Sequence, residues 1–264
     1  MLNRLKDKVC IITGAGQGIG RAAARRFGSE GAAIVIADAS PVAAQRTYDD
    51  LRQAGVRCEM FVGDLMHWEG AQALMAFTLE KLGCVDVLVN NIGGATDLKP
   101  FHLWEPDAIV EEMNRSILPT IYCCRAVLPH MIERSFGRIV NVGAESVRNG
   151  LWDRAPYNAG KGAVMGLTTS IARENAQFGI VCNCFSPGPT DTQPDRIVAR
   201  GIRALQGKET EYFREMTKRT LDIVPMGRQA TSDEQAAGIA FLASDDVGHI
   251  TGQTLSAGGG MNML

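Results

Sequence analysis

Short apolar runs rich in Val and Ile alternate along this chain with longer stretches of helical period, and that alternation predicts a doubly wound α/β fold. The runs are apolar on both faces, as expected of parallel strands covered by helices on both sides. A chain of 264 residues, 45% of them hydrophobic, suits one large α/β domain of this kind. Residues 1–264 are therefore read as a single domain built on a seven-stranded, mostly parallel sheet flanked by helices.

The first strand is read over 9–12 (VCII), followed by a glycine-rich turn and a helix over 18–28. Strand 33–37 leads to a helix over 41–54, and strand 58–62 to a helix over 67–82. Strand 85–89 precedes a long helix, 107–133, and strand 138–142 precedes a helix over 157–178. Strand 181–185 is separated from the helix over 232–243 by an excursion at 190–226, read as a helical lid. Ser232-Asp-Glu-Gln235 reads as a capping box opening that last helix, and strand 254–256 completes the sheet.

Composition excludes several classes. The 27 Lys and Arg nearly balance 29 Asp and Glu, leaving −2, which gives no general field for nucleic acid or an anionic membrane. No run approaches the roughly 20 apolar residues of a membrane span. The seven cysteines sit mostly in apolar stretches without regular spacing, and the four His are scattered, so neither a disulfide framework nor a metal site is expected. The N-terminal MLNRLKDKVCIITG lacks a long apolar signal region, which makes the cytoplasm the expected compartment.

The first strand runs into Thr13-Gly14-Ala15-Gly16-Gln17-Gly18-Ile19-Gly20. Glycines there let the backbone turn sharply and approach a pyrophosphate, which the helix N-terminus then receives with its amides and dipole. Alone, a glycine-rich run also marks a simple turn. Here the strand-loop-helix context of a Rossmann unit is present, and a second strand ends at Asp38. A carboxylate about 20 residues on accepts hydrogen bonds from the adenosine ribose hydroxyls and repels a 2′-phosphate. With no Arg or Lys directly after Asp38, the expected cofactor is NAD rather than NADP; the bland alternative for Asp38 is a strand-end turn residue.

With these motifs in place, the chain resembles the short-chain dehydrogenase/reductase family over nearly its whole length. Thr13–Gly20 resembles the TGxxxGxG loop, and Asp64-Leu65 the adenine-binding acid position. Asn90-Asn91-Ile92-Gly93 resembles the NNAG segment that steadies the sheet and lines the adenosine side. Tyr157-Asn-Ala-Gly-Lys161 matches YxxxK, and Pro187-Gly188 with Thr190 and Thr192 resembles the segment that holds the nicotinamide carboxamide. The resemblance implies a homotetramer in which the long helices pair between subunits.

Tyr157 and Lys161 are four apart, so they share one helix face. A free tyrosine, with a pKa near 10, is a poor base at neutral pH. An ammonium ~4 Å away at an effective dielectric of about 20 stabilises phenolate by about 4 kcal/mol, or roughly three pKa units. The expectation is a phenol brought near neutrality, where a general base works best. The resemblance then implies that Tyr157 takes the hydroxyl proton of a secondary alcohol while hydride passes to NAD, with Lys161 also on the nicotinamide ribose.

Two positions depart from the family pattern. The commonest register of the catalytic serine falls on Ala144, and Ser146 is the nearby hydroxyl expected to take its place. On the helix over 107–133, the position of the relay asparagine falls on Ser116, and Asn114 two residues earlier points elsewhere. These departures keep open a dinucleotide-binding protein with little catalysis, alongside a general 3-oxoacyl reductase. A dehalogenase branch of the fold is excluded by the intact glycine loop and Lys161.

Two local stretches suggest the substrate. Asn91–Gly94 with 99–101, and the segment from Arg115 to Pro129, resemble bacterial dihydrodiol dehydrogenases; Ser186–Thr192 resembles dehydrogenases of alicyclic hydroxyacyl-CoA esters. Both imply a cyclic alcohol or its ketone. Between Asp195 and Thr220 seven basic residues face four acids, an excess that attracts an anionic substrate or merely marks a solvated helix face. Trp104, Trp152 and Phe213 either border an apolar ring pocket or belong to the core or an interface.

Overall fold

The computed structural model describes residues 3–192 and 208–263, with the side chains of 208–214 outside that description. Its central sheet joins β1 (Val9–Thr13), β2 (Ala33–Asp38), β3 (Cys58–Val62), β4 (Val87–Asn90), β5 (Gly137–Val142), β6 (Ile180–Pro187) and β9 (Thr254–Ala257). The order is β3-β2-β1-β4-β5-β6-β9, and every pairing is parallel. A parallel sheet needs a crossover after each strand, which the helices supply.

The helices α1 (Gly18–Ser29), α2 (Pro41–Gln53) and α8 (Ser232–Ala243) cover one face, where Ala23, Phe27, Leu51 and Ile239 pack against Ile12, Ile36 and Phe185. The other face is covered by α3 (Trp68–Leu82), α4 (Pro106–Glu133) and α6 (Ala155–Asn175), with Leu74, Val127 and Ile171 against Ile11, Leu88 and Ile139. Two further helices are α5 (Ser146–Asn149), a single turn, and α7 (Lys208–Asp222). A small parallel pair, β7 (Thr190–Asp191) with β8 (Ala230–Thr231), ties the two ends of the 190–226 excursion together.

The strand order reverses between β1 and β4, and in such sheets ligands bind beyond the carboxyl ends of strands at that switch point. The geometry of the crevice therefore rests on the loops after β1, β4, β5 and β6.

Most boundaries fall within a residue or two of the sequence expectation, and three of the differences are instructive. The fourth strand begins at Val87 rather than residue 85, because the Asp86 side chain and amide are both spent on Val9 at the strand's entry. The helix expected over 157–178 starts earlier, at Ala155, and its last three residues tighten into a 3₁₀ turn, Ala176–Phe178. The capping box lies one residue before the expected one: the Glu234 amide donates to Thr231 Oγ1, and the Thr231 amide donates to Glu234 Oε2. Thr231 holds the extended backbone an N-cap needs, which places Ser232 inside the helix. All seven cysteines are free, and burial pushes the thiols of Cys123 and Cys182 upward, which leaves them inert.

Candidate active site

The loop after β1 is built for close approach. A Cβ on Gly20 would meet the Gly14 carbonyl oxygen at 2.2 Å and Asn91 Nδ2 at 2.5 Å, so no side chain fits there. Gln17 is the N-cap of α1 and Gly18 its first residue, while Ile19 packs partly against the core. Asn91 Nδ2 donates to the carbonyls of Thr13 (3.1 Å) and Gly14 (3.2 Å), and the Asn91 amide donates to Thr13 Oγ1. This explains why an amide side chain follows β4: it locks the first loop to the fourth strand.

Asp38 closes the same loop. Its Oδ2 accepts from the Gly16 amide and its Oδ1 from the Ser40 amide, both at 2.9 Å. The carboxylate is thus fixed at the crevice edge with lone pairs to spare. Farther out, Leu65 is buried while Asp64 is exposed and accepts from the Met66 amide.

On the other side of the switch point, the Gly188 amide donates to Ala257 O, Thr190 Oγ1 donates to Gly188 O, and Gln235 Nε2 donates to Thr190 Oγ1. Thr192 lies over the glycine loop, since a Cβ on Gly18 would sit 3.3 Å from its Cγ2. The segment after β6 and the loop after β1 therefore face one another across the crevice.

Tyr157 stands in the first turn of α6, and Lys161 one turn later is almost wholly buried. The Lys161 ammonium donates to Val142 O at 2.7 Å and to Ile92 O at 3.2 Å. Burial lowers its pKa to about 8. Burial likewise raises the Tyr157 phenol to about 12, with Arg154 opposing that rise and Glu112 adding to it. The expected fall of the phenol toward neutrality under Lys161 is not what this geometry produces. The ammonium is spent on two main-chain carbonyls, and desolvation of the phenolate dominates.

Ser146 opens α5 and is buried; its Oγ donates to Asn158 Oδ1 at 2.7 Å, and Asn158 Nδ2 donates to Leu151 O. Ala144, in the usual serine register, is also buried. Ser116 lies on the α4 face toward α6, with its hydroxyl buried and unpartnered, and a Cβ on Gly160 would meet it at 2.7 Å.

Residues 8–200 match the family described as short chain dehydrogenase. The chain belongs to that family. It is 39% identical over 257 residues to 1,6-dihydroxycyclohexa-2,4-diene-1-carboxylate dehydrogenase of Acinetobacter baylyi, a match spanning 97% of both chains. It is 34% identical over 261 residues to 2,3-dihydroxy-2,3-dihydro-p-cumate dehydrogenase of Pseudomonas putida, covering 98% of this chain and 96% of the relative. The crystal structure of levodione reductase matches with a TM-score of 0.88 over 97% of each chain, at 26% identity. This short-chain dehydrogenase is an oxidoreductase, and its seven-stranded sheet is the family's Rossmann-like fold.

Asn158 and Glu112 escaped the sequence reading. Glu112 had a signal: it falls in phase with Ser116, Thr120, Cys123, Val127 and Met131, the stripe of α4 that turns inward, where an acid is out of place. Beside the crevice a cavity of about 570 Å³ is lined by Leu98, Lys99, Pro100, Trp152, Asp153 and Arg219. Arg219 of α7 stacks on Trp152 at 4.5 Å. Trp104 is core, its indole N–H donating to Lys99 O, and Phe213 lies outside the described side chains. Of the basic lid expected over 195–220, the side chains of Arg196, Arg200, Arg203, Lys208 and Arg214 lie outside that description too. Among the described residues, no helix is long and apolar enough to cross a membrane.

Proposed function

We propose that this short-chain dehydrogenase uses NAD to oxidise a ring-borne secondary alcohol, a cis-dihydrodiol that carries a carboxylate. The observation that carries the reading is the placement of Lys161 between the ends of β4 and β5, one turn after Tyr157 on α6, together with a glycine loop closed by Asp38. Two relatives support the substrate class, since their names denote dehydrogenases of a dihydroxycyclohexadiene carboxylate and a dihydrodihydroxy-p-cumate.

The residues present fit a dinucleotide. Gly14 and Gly20 leave a cradle that a Cβ would fill, and the first turn of α1 opens on it. Asp38 would hold the adenosine ribose, with Asp64 and Leu65 toward the adenine and Asn91 and Gly93 along the adenosine side. Pro187, Gly188, Thr190 and Thr192 would hold the carboxamide end. When bound, NAD accepts the hydride at its nicotinamide ring, and the positive charge of that ring favours the Tyr157 phenolate.

The chain's own part is proton transfer and placement. Tyr157 Oη takes the hydroxyl proton of the alcohol as general base and returns it in the reverse direction. The tyrosine stands in the first turn of α6, the positive end of that helix, which favours a nearby anion. Lys161 fixes the ends of β4 and β5 one turn after Tyr157 and would hold the nicotinamide ribose of the bound cofactor. The Lys99 and Arg219 side chains of the neighbouring cavity supply positive charge for the substrate carboxylate, offset in part by Asp97, which pairs with Lys99 at 2.8 Å, and by Asp153.

The test is NADH formation with a panel of cis-dihydrodiols, with and without a ring carboxylate, beside alicyclic hydroxy acids and their CoA esters. Turnover confined to carboxylated diols is expected; none across the panel sinks the substrate class. The pairing of the Ser146 hydroxyl with Asn158 favours one other reading, a dinucleotide-binding protein with little catalysis. In that case Tyr157→Phe leaves the residual rate unchanged. By family resemblance the protein is a homotetramer, and a monomer in light scattering would count against that assembly.

A further inference from the structure

Helices α4 and α6 both return the chain from the carboxyl ends of parallel strands, so they lie side by side in one direction. They pack tightly at Gly160, where a Cβ would sit 2.7 Å from Ser116 Cβ and 2.8 Å from Met113 O. One turn back along each helix brings Glu112 level with Tyr157. Glu112 is 1% exposed, yet carries a carboxylate. Its oxygens accept from the Thr96 amide at 3.1 and 3.2 Å and from the Thr96 hydroxyl.

Thr96 belongs to the loop that follows β4, and the other end of that loop is held by Lys161 through Ile92 O. Between the two anchors lie Gly93 and Gly94, with φ of +147° and +154°, a stretch with no rigidity of its own. One buried cation and one buried anion thus grip the same five residues beside the catalytic tyrosine.

We propose that Glu112 is a positioning residue of the active site: its carboxylate anchors the 92–96 loop through Thr96 and sets a buried negative charge on α4 level with Tyr157 of α6. The charged groups around it are Arg115 of its own helix and Asp97 of the loop, while α6 presents Tyr157, and Arg154 acts on that tyrosine in the opposite sense. Burial raises the Glu112 pKa, and the two Thr96 donors offset part of that rise. The charge half of the proposal rests on the reading of Tyr157 as the base; the anchoring half does not.

Two readouts keep those halves apart. In Glu112→Gln an acceptor for Thr96 remains and the charge is gone. The basic pKa in the kcat/KM profile for diol oxidation at saturating NAD should fall by about one pH unit. A profile that superimposes on the wild type overturns the charge role. Hydrogen exchange of the 92–97 segment in the whole protein reads the anchor without any turnover. Glu112→Ala should speed it at least about tenfold, a loss on the scale of one buried hydrogen bond. Thr96→Val, a milder change should the alanine variant not fold, should also speed exchange and raise KM while leaving the basic pKa no lower than wild type. Unchanged exchange in both variants, or a lowered pKa in Thr96→Val, overturns the proposal. If the wild type turns over no diol, the functional reading fails while the exchange result still decides the anchor.

Discussion

Ser146 gives its hydroxyl proton to Asn158, the residue next to Tyr157, across 2.7 Å. The orientation of that amide is set on its other side, where Asn158 Nδ2 donates to Leu151 O. A hydroxyl has one proton to give, so Ser146 in this arrangement braces the turn after β5 rather than pointing a donor at a substrate oxygen. Loss of a true oxyanion donor costs 10²–10³ in kcat. Ser146→Ala is therefore expected to lower kcat by less than about tenfold, a cost closer to one neutral hydrogen bond. Asn158→Ala, which strips two bonds from the turn, should cost about 1–3 kcal/mol in urea unfolding. Steady-state kinetics showing a Ser146→Ala loss of several hundredfold would return the catalytic role to Ser146.

Lys161 carries its own stability signature. Its folded pKa is about 8 against an ordinary 10.5, so between those values the unfolded chain holds a proton the folded chain has released. Stability attributable to Lys161 therefore rises with pH across that window, and the deficit is fully present below about 8, amounting to about 3 kcal/mol. The buried thiols act in the opposite direction above their ordinary pKa, but they are common to wild type and variant. Urea unfolding of wild type and Lys161→Met from about pH 8 to about pH 10 isolates the difference. The wild type should gain on the variant as pH rises; parallel curves would show that Lys161 enters the fold without the burial cost seen here.

The sheet was legible because each strand is a short, doubly apolar run, a pattern no helix of that length shares. The glycine loop after β1 and the placing of Tyr157 and Lys161 one turn apart on α6 were legible because their spacing is local: residues four apart on a helix share a face wherever the helix goes. Glu112 and Asn158 were not, since their partners Thr96 and Ser146 depend on how α4 lies against α6 and how the turn after β5 folds back. The capping box shows the limit at short range. Thr231 and Ser232 both offer a hydroxyl, and Glu234 and Gln235 both follow at the required distance, so two registers fit one string. Gln235 is instead buried and directed to Thr190 and Ala257 O, a tertiary demand that selects the other register. The phenol of Tyr157 was misjudged for the same reason: spacing placed the ammonium near it, but not the two carbonyls that hold it.

Asp38 should decide between cofactors. Its oxygens already brace Gly16 and Ser40, so removing the carboxylate loosens the loop as well as losing the ribose contacts. Asp38→Ser is expected to cut the NAD-over-NADP ratio of kcat/KM by about 10²-fold, the scale of charge-assisted hydrogen bonds at about 1.5–3 kcal/mol. Calorimetric titration with each dinucleotide checks the binding part directly. An unchanged preference would make Asp38 a turn residue alone.

Gly93 tests the grip of Lys161 on the β4 loop with a single methyl group. Its φ of +147° is a conformation that side chains rarely adopt, and a Cβ there would lie 2.5 Å from Lys161 Nζ and 2.7 Å from its Cε. Gly93→Ala must therefore either push the ammonium off Ile92 O or turn the loop away from it. Both break the hydrogen bond from Lys161 to Ile92 O beside Tyr157, while residue 93 itself is exposed and the apolar core is left alone. The expected result is a protein whose melting temperature falls by no more than a few degrees, on the order of 1 kcal/mol for a chain of this size, and whose kcat falls at least about tenfold. A variant with wild-type kcat would show that the β4 loop and Lys161 are not coupled in the way the Ile92 contact implies.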